Sequence, residues 1–149
     1  MPLKNRIFKL AAVALVGCAP LTALADGHSA SYDIRSIDDL QFGPFGEGPV
    51  EIAVLWGDPS SGPSGFILKI PAGFEAPVHS HTASYRAVVI EGAALHWLGT
   101  EDKDSAAPLS AGGYWLQPGG QLHGDANASD GTSLALVIFD GTLDFMLPE

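Results

Sequence analysis

Three histidines, His79, His81 and His123, have the residue type and spacing of ligands for a single metal ion. One residue separates His79 from His81, and residues i and i+2 of an extended strand point to the same face, about 7 Å apart at Cα. Both imidazoles can therefore reach one ion, and His123 follows a Pro-Gly-Gly turn later in the chain. Imidazole nitrogen is a ligand for Zn, Fe, Ni and Cu. The alternative interpretation is a structural cluster of histidines without a metal.

The spacing around these histidines forms two longer patterns. Residues 73–92 read G-x5-H-x-H-x3-Y-x6-G, and residues 112–127 read G-x5-P-x-G-x2-H-x3-N. In this order they resemble the two sequence motifs of the cupin superfamily at every position but one. The resemblance covers about residues 65–140. It implies a metal site inside a small β-barrel, with His79, His81 and His123 as ligands.

Shorter segments carry a closer resemblance. They are W-G-D-P at 56–59, G-P-S-G at 62–65, P-A-G-F at 71–74 and Q-P-G-G-x-x-H at 117–123. These segments are similar to those of uncharacterised exported bacterial cupins, which in turn resemble the cupin domain of a zinc-binding anti-sigma factor.

Tyr85 stands where the superfamily motif usually has a glutamate ligand. A neutral phenol, with a pKa near 10, is a poor ligand for a divalent ion. We therefore expect a three-histidine site with open positions, at which the ion keeps its full positive charge. Tyr85 would then donate its hydroxyl to a bound water, oxygen or substrate, or would simply line the barrel. Glu75 and Glu91 are alternative carboxylates, although neither occupies the motif position.

The donor set does not choose one metal, since three nitrogen ligands suit several divalent ions. We expect one ion per chain, with Fe(II) or Zn first and Mn or Ni next. Gln117, just before the proline of the second motif, is a second candidate catalytic residue beside Tyr85. It would hydrogen-bond to a metal-bound ligand or cap a turn at the barrel rim. We expect His96 to be a hydrogen-bonded partner and not a ligand. Four aromatic residues are expected to fill the core or the barrel mouth: Trp56, Trp97, Tyr114 and Trp115.

The sequence around these residues predicts short β-strands separated by clusters of Gly, Pro, Asp and Ser. The expected strands are residues 50–56, 65–70, 76–81, 85–91, 93–98, 113–117, 123–126, 134–139 and 143–147. This pattern is typical of an antiparallel sandwich or barrel. The predicted fold class is all-β, a single-domain antiparallel β-barrel of the cupin or jelly-roll type.

The N-terminal segment has the parts of a secretory signal. Residues 1–25 place three basic residues before an apolar run and end in Ala-Leu-Ala, which fits a cleavage site. We therefore predict a signal peptide at 1–25, an N-terminal arm at 26–49 and the cupin barrel at 50–149. The predicted location of the mature protein is the periplasm. Leu-Val-Gly-Cys at 15–18 also resembles a lipobox, so a lipoprotein anchored through Cys18 is the alternative.

Charge excludes several classes of partner. Residues 26–149 contain four basic and seventeen acidic residues, a formal net charge of −13. Such a surface repels nucleic acid and anionic lipid, so we expect neither as a partner. The apolar run of the leader is too short for a membrane-spanning helix, and no other segment approaches one. A small-molecule ligand or substrate is the expected partner.

Two functions follow from these expectations. The first is a mononuclear metal-dependent dioxygenase or a related small-molecule enzyme, by resemblance to three-histidine cupins that cleave diketones or oxidise thiols. The second is a non-catalytic cupin that binds or senses a ligand through its metal. We also expect a homodimer, formed by pairing of edge strands or exchange of the arm.

Overall fold

The computed structural model describes residues 31–149, of which residues 35–149 form one compact unit. The predicted leader lies outside the described residues. The unit contains two antiparallel sheets. The larger has the order β1 (Gly43–Pro44), β2 (Glu51–Gly57), β3 (Ser64–Ile70), β9 (Ser133–Phe139), β4 (Tyr85–Glu91), β7 (Tyr114–Gln117). The smaller has the order β6 (Leu109–Ser110), β5 (Ala93–Leu98), β8 (His123–Asn127).

The predicted all-β, antiparallel fold class is confirmed, and most expected strands coincide with observed ones to within one residue. The strands form two separate sheets, and hydrogen bonding does not close them into one continuous barrel. Residues 76–81 and 143–147 are not strands. They make isolated bridges, His79 with His123 and Ser80 with Met146, because each meets its neighbour over too few residues to build a ladder.

The described helices are short 3-10 turns, Ile37–Asp39 and Lys103–Ser105. In the part of the chain from residue 31 onward, no helix is long and apolar enough to cross a membrane.

The core lies on the inner face of the larger sheet. Strand β9 alternates buried and partly buried residues along its whole length, as expected when one face packs on the core. The buried cluster beside it contains Phe66, Tyr85, Ala87, Ala135, Val137 and Phe139. The Tyr85 and Phe139 rings are stacked, with centroids 5.0 Å apart. Tyr85 is therefore packed in the core, which restricts the position of its ring.

The expectation that four aromatic residues fill the core or the barrel mouth is only partly met. Trp97 is buried, whereas Trp56 and Tyr114 are 49% and 56% exposed. Trp56 lies across Gly65 of the neighbouring strand, where a Cβ atom would come within 2.2 Å of the indole nitrogen. A side chain at position 65 would therefore displace the Trp56 ring.

Candidate metal centre

A pair of backbone hydrogen bonds brings two of the predicted ligands face to face. The His79 N–H donates to the His123 carbonyl at 2.9 Å, and the His123 N–H donates back at 2.8 Å. His81 lies two residues beyond His79 and shares its face, as the spacing predicts. All three side chains are buried, and a ring nitrogen from each lies within 4.8 Å of the others. The structure therefore brings His79, His81 and His123 together.

The glycines of the second motif hold the turn that precedes His123 against the His81 segment. The N–H of Gly120, which has a φ of 75°, donates to the His81 carbonyl at 2.7 Å. A Cβ atom at position 119 would lie 2.3 Å from the carbonyl oxygen of Thr82. A side chain at Gly119 would push this turn away from the His81 segment. His123, which follows the turn, would then lie farther from His81.

The outward nitrogen of each ring is bonded to a backbone carbonyl. Nδ1 of His79 donates to Pro77 O at 2.8 Å, and Nδ1 of His123 donates to Gln121 O at 3.1 Å. Nδ1 of His81 donates to the carbonyl of Asp144. With the proton on Nδ1, each Nε2 keeps a free lone pair. Such carbonyl bonds fix tautomer and ring orientation in metal-binding histidines, so the donor set fits a divalent ion.

Burial keeps these imidazoles neutral. It lowers the pKa of His79 and of His81, and it lowers the pKa of His123 to about 4. Because a ligand histidine must be unprotonated, the three rings are in the metal-binding form at neutral pH.

Tyr85 lies beside the histidines. Its hydroxyl oxygen is 3.3 Å from Nε2 of His123 and accepts a hydrogen bond from the Trp115 indole, also at 3.3 Å. Burial, with a smaller contribution from the charge of Asp125, raises the Tyr85 pKa well above its ordinary value. Tyr85 is therefore a neutral phenol that can donate its proton to His123 or to an oxygen atom placed at the same point.

Gln117 contacts the site through His96. The Gln117 amide nitrogen donates to the carbonyls of Pro118 and Gln121, so its oxygen faces Nε2 of His96 at 3.0 Å. Nδ1 of His96 faces Asp125 Oδ1 at 2.7 Å. Both ring nitrogens of His96 thus lie within hydrogen-bond distance of a side-chain oxygen. His96 is a hydrogen-bonded partner, as predicted, and Gln117 is directed at it instead of at the three ligand nitrogens.

Sequence reasoning missed Asp125. Its Oδ2 atom lies 3.5 Å from His123 Nε2 and 3.8 Å from His79 Nε2, so a carboxylate does face the cluster. The alternatives Glu75 and Glu91 are both exposed, and Glu75 pairs with Lys103. The available signal is the H-x-D spacing of His123 and Asp125, which places both side chains on one face of a strand, as the H-x-H spacing does for His79 and His81.

Comparison with known proteins assigns the family. Residues 46–140 match the family model described as "Domain of unknown function (DUF4437)". The chain belongs to the DUF4437 family. A search of curated proteins found no match.

Solved structures show that this DUF4437 domain has the cupin fold. The polyketide cyclase RemF from Streptomyces resistomycificus is 17% identical with a TM-score of 0.63, over 80% of this chain and 89% of that one. KdgF from Halomonas sp. is 17% identical with a TM-score of 0.56, over 70% and 92%. An RmlC-like cupin from Shewanella frigidimarina is 18% identical with a TM-score of 0.59, over 76% and 95%.

A cavity of about 510 Å³ opens beside the histidines of the DUF4437 domain. His79, His81 and Tyr85 form part of its wall, and Asp125 and Asp144 are among the few charged residues there. The rest is mainly apolar and includes Leu68, Ile70, Ala94, Ala135 and Val137. Residues 45–48 of the predicted arm also line it, although the sequence assigned no chemistry to the arm.

The chain segment after β9 covers the cluster. The Phe145 ring stacks on His79 with centroids 4.1 Å apart, and the neighbouring Asp144 carbonyl holds His81. The side chain of Asp144 accepts a bond from the Thr82 N–H at 2.9 Å, which fastens the segment to the loop after His81. The histidines therefore border a mainly apolar cavity, and the ring of Phe145 covers them.

Proposed function

We propose that this DUF4437 domain binds one divalent metal ion through His79, His81 and His123 and uses it to hold an apolar, metal-chelating small molecule. The observation that carries the proposal is that three buried histidines bring one ring nitrogen each within 4.8 Å of the others, and that two of them, His79 and His81, line a large apolar cavity. Fe(II) or Zn is the first choice of metal, followed by Mn or Ni. A ligand of this kind would place its oxygen or sulfur atoms at the metal and its hydrocarbon part in the cavity.

The favoured activity is that of a mononuclear metal-dependent dioxygenase or a related small-molecule enzyme. The ion, when bound, supplies Lewis acidity and, as Fe(II), oxygen chemistry. The chain's own contribution is to exclude water with the apolar wall, to cover the cluster with Phe145, and to offer the proton of neutral Tyr85 to a ligand oxygen. That an enzyme, a polyketide cyclase, shares this fold supports an enzymatic use of the cavity. The alternative is a non-catalytic cupin that binds or senses such a ligand.

Oxygen uptake separates the two functions. The Fe(II), Mn and Zn forms are each mixed with a panel of apolar β-diketones and thiols in an oxygen electrode, and binding is followed in parallel by absorbance. We expect the Fe(II) form alone to consume oxygen, with Tyr85→Phe slower by about 100-fold, the lower range for one proton-transfer group. Ligand binding without oxygen uptake in every metal form would establish the non-catalytic alternative. Absence of both would overturn the small-molecule proposal.

We further propose that the chain is exported with cleavage after Ala25 and that it forms a homodimer. The formal charge of −13 on residues 26–149 suits a soluble exported protein. Strand β1 of the arm pairs with β2, so exchange of the arm between two copies would conserve these contacts. Native mass spectrometry of protein from the cell envelope tests both: we expect a dimer of chains that begin at Asp26. An acylated chain beginning at Cys18 would establish the lipoprotein route, and a monomer would refute the dimer.

A further inference from the structure

Asp125 occupies a distinctive place relative to the three histidines. It follows His123 by two residues on β8 and lines the cavity, with its side chain 23% exposed. Each oxygen of the carboxylate faces a different group: Oδ1 meets His96, and Oδ2 meets Nε2 of His123 and of His79. Oδ2 is therefore directed at two of the three ligand nitrogens.

The distances at Oδ2 are those of two ligands on one ion. Two donor atoms bonded to one tetrahedral zinc at about 2.1 Å lie roughly 3.4 Å apart. The observed separations from Oδ2 are 3.5 Å to His123 Nε2 and 3.8 Å to His79 Nε2. By contrast, the Asp144 carboxylate approaches His81 at Nδ1, with Oδ1 3.9 Å away, and Nδ1 is the nitrogen bonded to the Asp144 carbonyl. Asp144 therefore offers no ligand atom at that point.

A buried chain of hydrogen bonds fixes the Asp125 carboxylate. His96 binds Oδ1 at 2.7 Å, and Gln117 binds the other side of the His96 ring at 3.0 Å. Gln117 is only 1% exposed, and its amide is anchored to two backbone carbonyls. The His96 ring also stacks on Trp115, with centroids 5.2 Å apart. One carboxylate oxygen is thus held from behind, which leaves Oδ2 oriented toward the histidines.

We propose that Asp125 is the fourth, anionic ligand of this metal site and that His96 and Gln117 are the residues that position it. This inference rests on the proposed metal site. The carboxylate absent at position 85 of β4 is then supplied from β8 of the smaller sheet, and the bound ion carries a net charge of +1 where three histidines alone would leave +2. The open positions for substrate are correspondingly fewer by one.

The direct test is the length of the bond from Asp125 Oδ2 to the ion in a crystal structure of the zinc-loaded full domain. We expect about 2.0–2.2 Å, the range for a zinc–carboxylate bond. An Oδ2–zinc distance beyond about 3 Å, with a water between them, would overturn the inference while leaving the three-histidine site intact. A wild-type chain that takes up no zinc would instead refute the proposed function, so the two failures are distinguishable.

Matched variants give a second measurement. Zinc affinity is determined by competition with a chromophoric chelator, and cobalt(II) spectra report the ligand field. Asp125→Asn should weaken zinc by more than about 100-fold, beyond the 10–100-fold typical of residues that only orient a ligand. Asp130→Asn removes the same charge at an exposed position that does not line the cavity, and it should change affinity by less than about threefold. Equal losses in both variants would show a general charge effect and contradict the inference.

The positioning role of His96 is tested in the same assay. His96→Leu removes the hydrogen-bond donor to Asp125. This variant should still bind one ion, but its zinc affinity should fall by about 10–100-fold and its cobalt(II) spectrum should shift. His96→Gln keeps a donor and should recover most of the affinity. An unchanged cobalt(II) spectrum in His96→Leu would refute the positioning role. Circular dichroism of each metal-free variant confirms that the fold is retained.

Discussion

We expect His79→Ala/His81→Ala to lower bound metal from about one equivalent per chain to below about a tenth, because two of the donors that must share one ion are lost. Both rings are buried, and among the described residues they belong with His123 to a group whose ligand atoms lie within 4.8 Å of one another. Elemental analysis after dialysis against the metal measures the change.

His96→Gln is the matched control. It removes a neighbouring histidine, whose ring centroid lies 5.3 Å from that of His123 and whose two nitrogens are already bonded to Asp125 and Gln117. This variant should keep about one equivalent at saturating metal, since it loses no donor atom. Undiminished metal in the double alanine variant would show that the ion binds elsewhere and would remove the basis of the proposed function.

We expect Ala135→Phe to weaken the binding of benzoylacetone, an apolar β-diketone, by at least about 100-fold without changing metal content. Ala135 is 4% exposed and lines the cavity from the middle of β9. An aromatic ring there would fill space that the phenyl group of the ligand requires. The 510 Å³ cavity has room for the new ring, so the fold should be retained with only a modest loss of stability. Titration of the zinc form, followed by absorbance of the metal-bound enolate, measures the affinity.

Leu136→Phe provides the comparison for this variant. Leu136 is the next residue of β9 and points to the opposite face of the sheet, opposite Ile67 and Val88 in register. The same ring placed there should leave benzoylacetone binding within about twofold of the wild type. If Ala135→Phe binds the diketone as tightly as Leu136→Phe does, the ligand does not occupy the cavity.

Much of the fold was predictable because its signals are local. Alternating runs such as residues 85–91 and 93–98 coincide with β4 and β5, since alternation of buried and exposed residues is a property of the strand itself. Residues 143–147 failed as a strand for a non-local reason. Their apolar side chains cover the histidines, and Met146 alone bridges to Ser80. The same apolar pattern therefore indicates a strand or a cover, and only tertiary contacts distinguish the two.

The three histidines were predictable from spacing, whereas the surroundings of the site were not. Neither the pairing of His79 with His123 nor the carbonyl behind each Nδ1 is encoded in a motif, because these contacts join segments far apart in the chain. Tyr85 was correctly expected near the histidines, but its bond from Trp115 depends on the register of β4 against β7.

The fold class, the three histidine positions and the tyrosine in place of the usual glutamate can all be read from the amino-acid pattern. The carboxylate of Asp125, which faces His123 and His79, can be identified only from the folded domain. Side-chain direction along one strand follows from a period of two, so His79 and His81 could be paired from the sequence. The convergence of two strands depends on their register and on the packing between them. That is why the Asp125–His96–Gln117 chain and the apolar cavity became visible only in the folded domain.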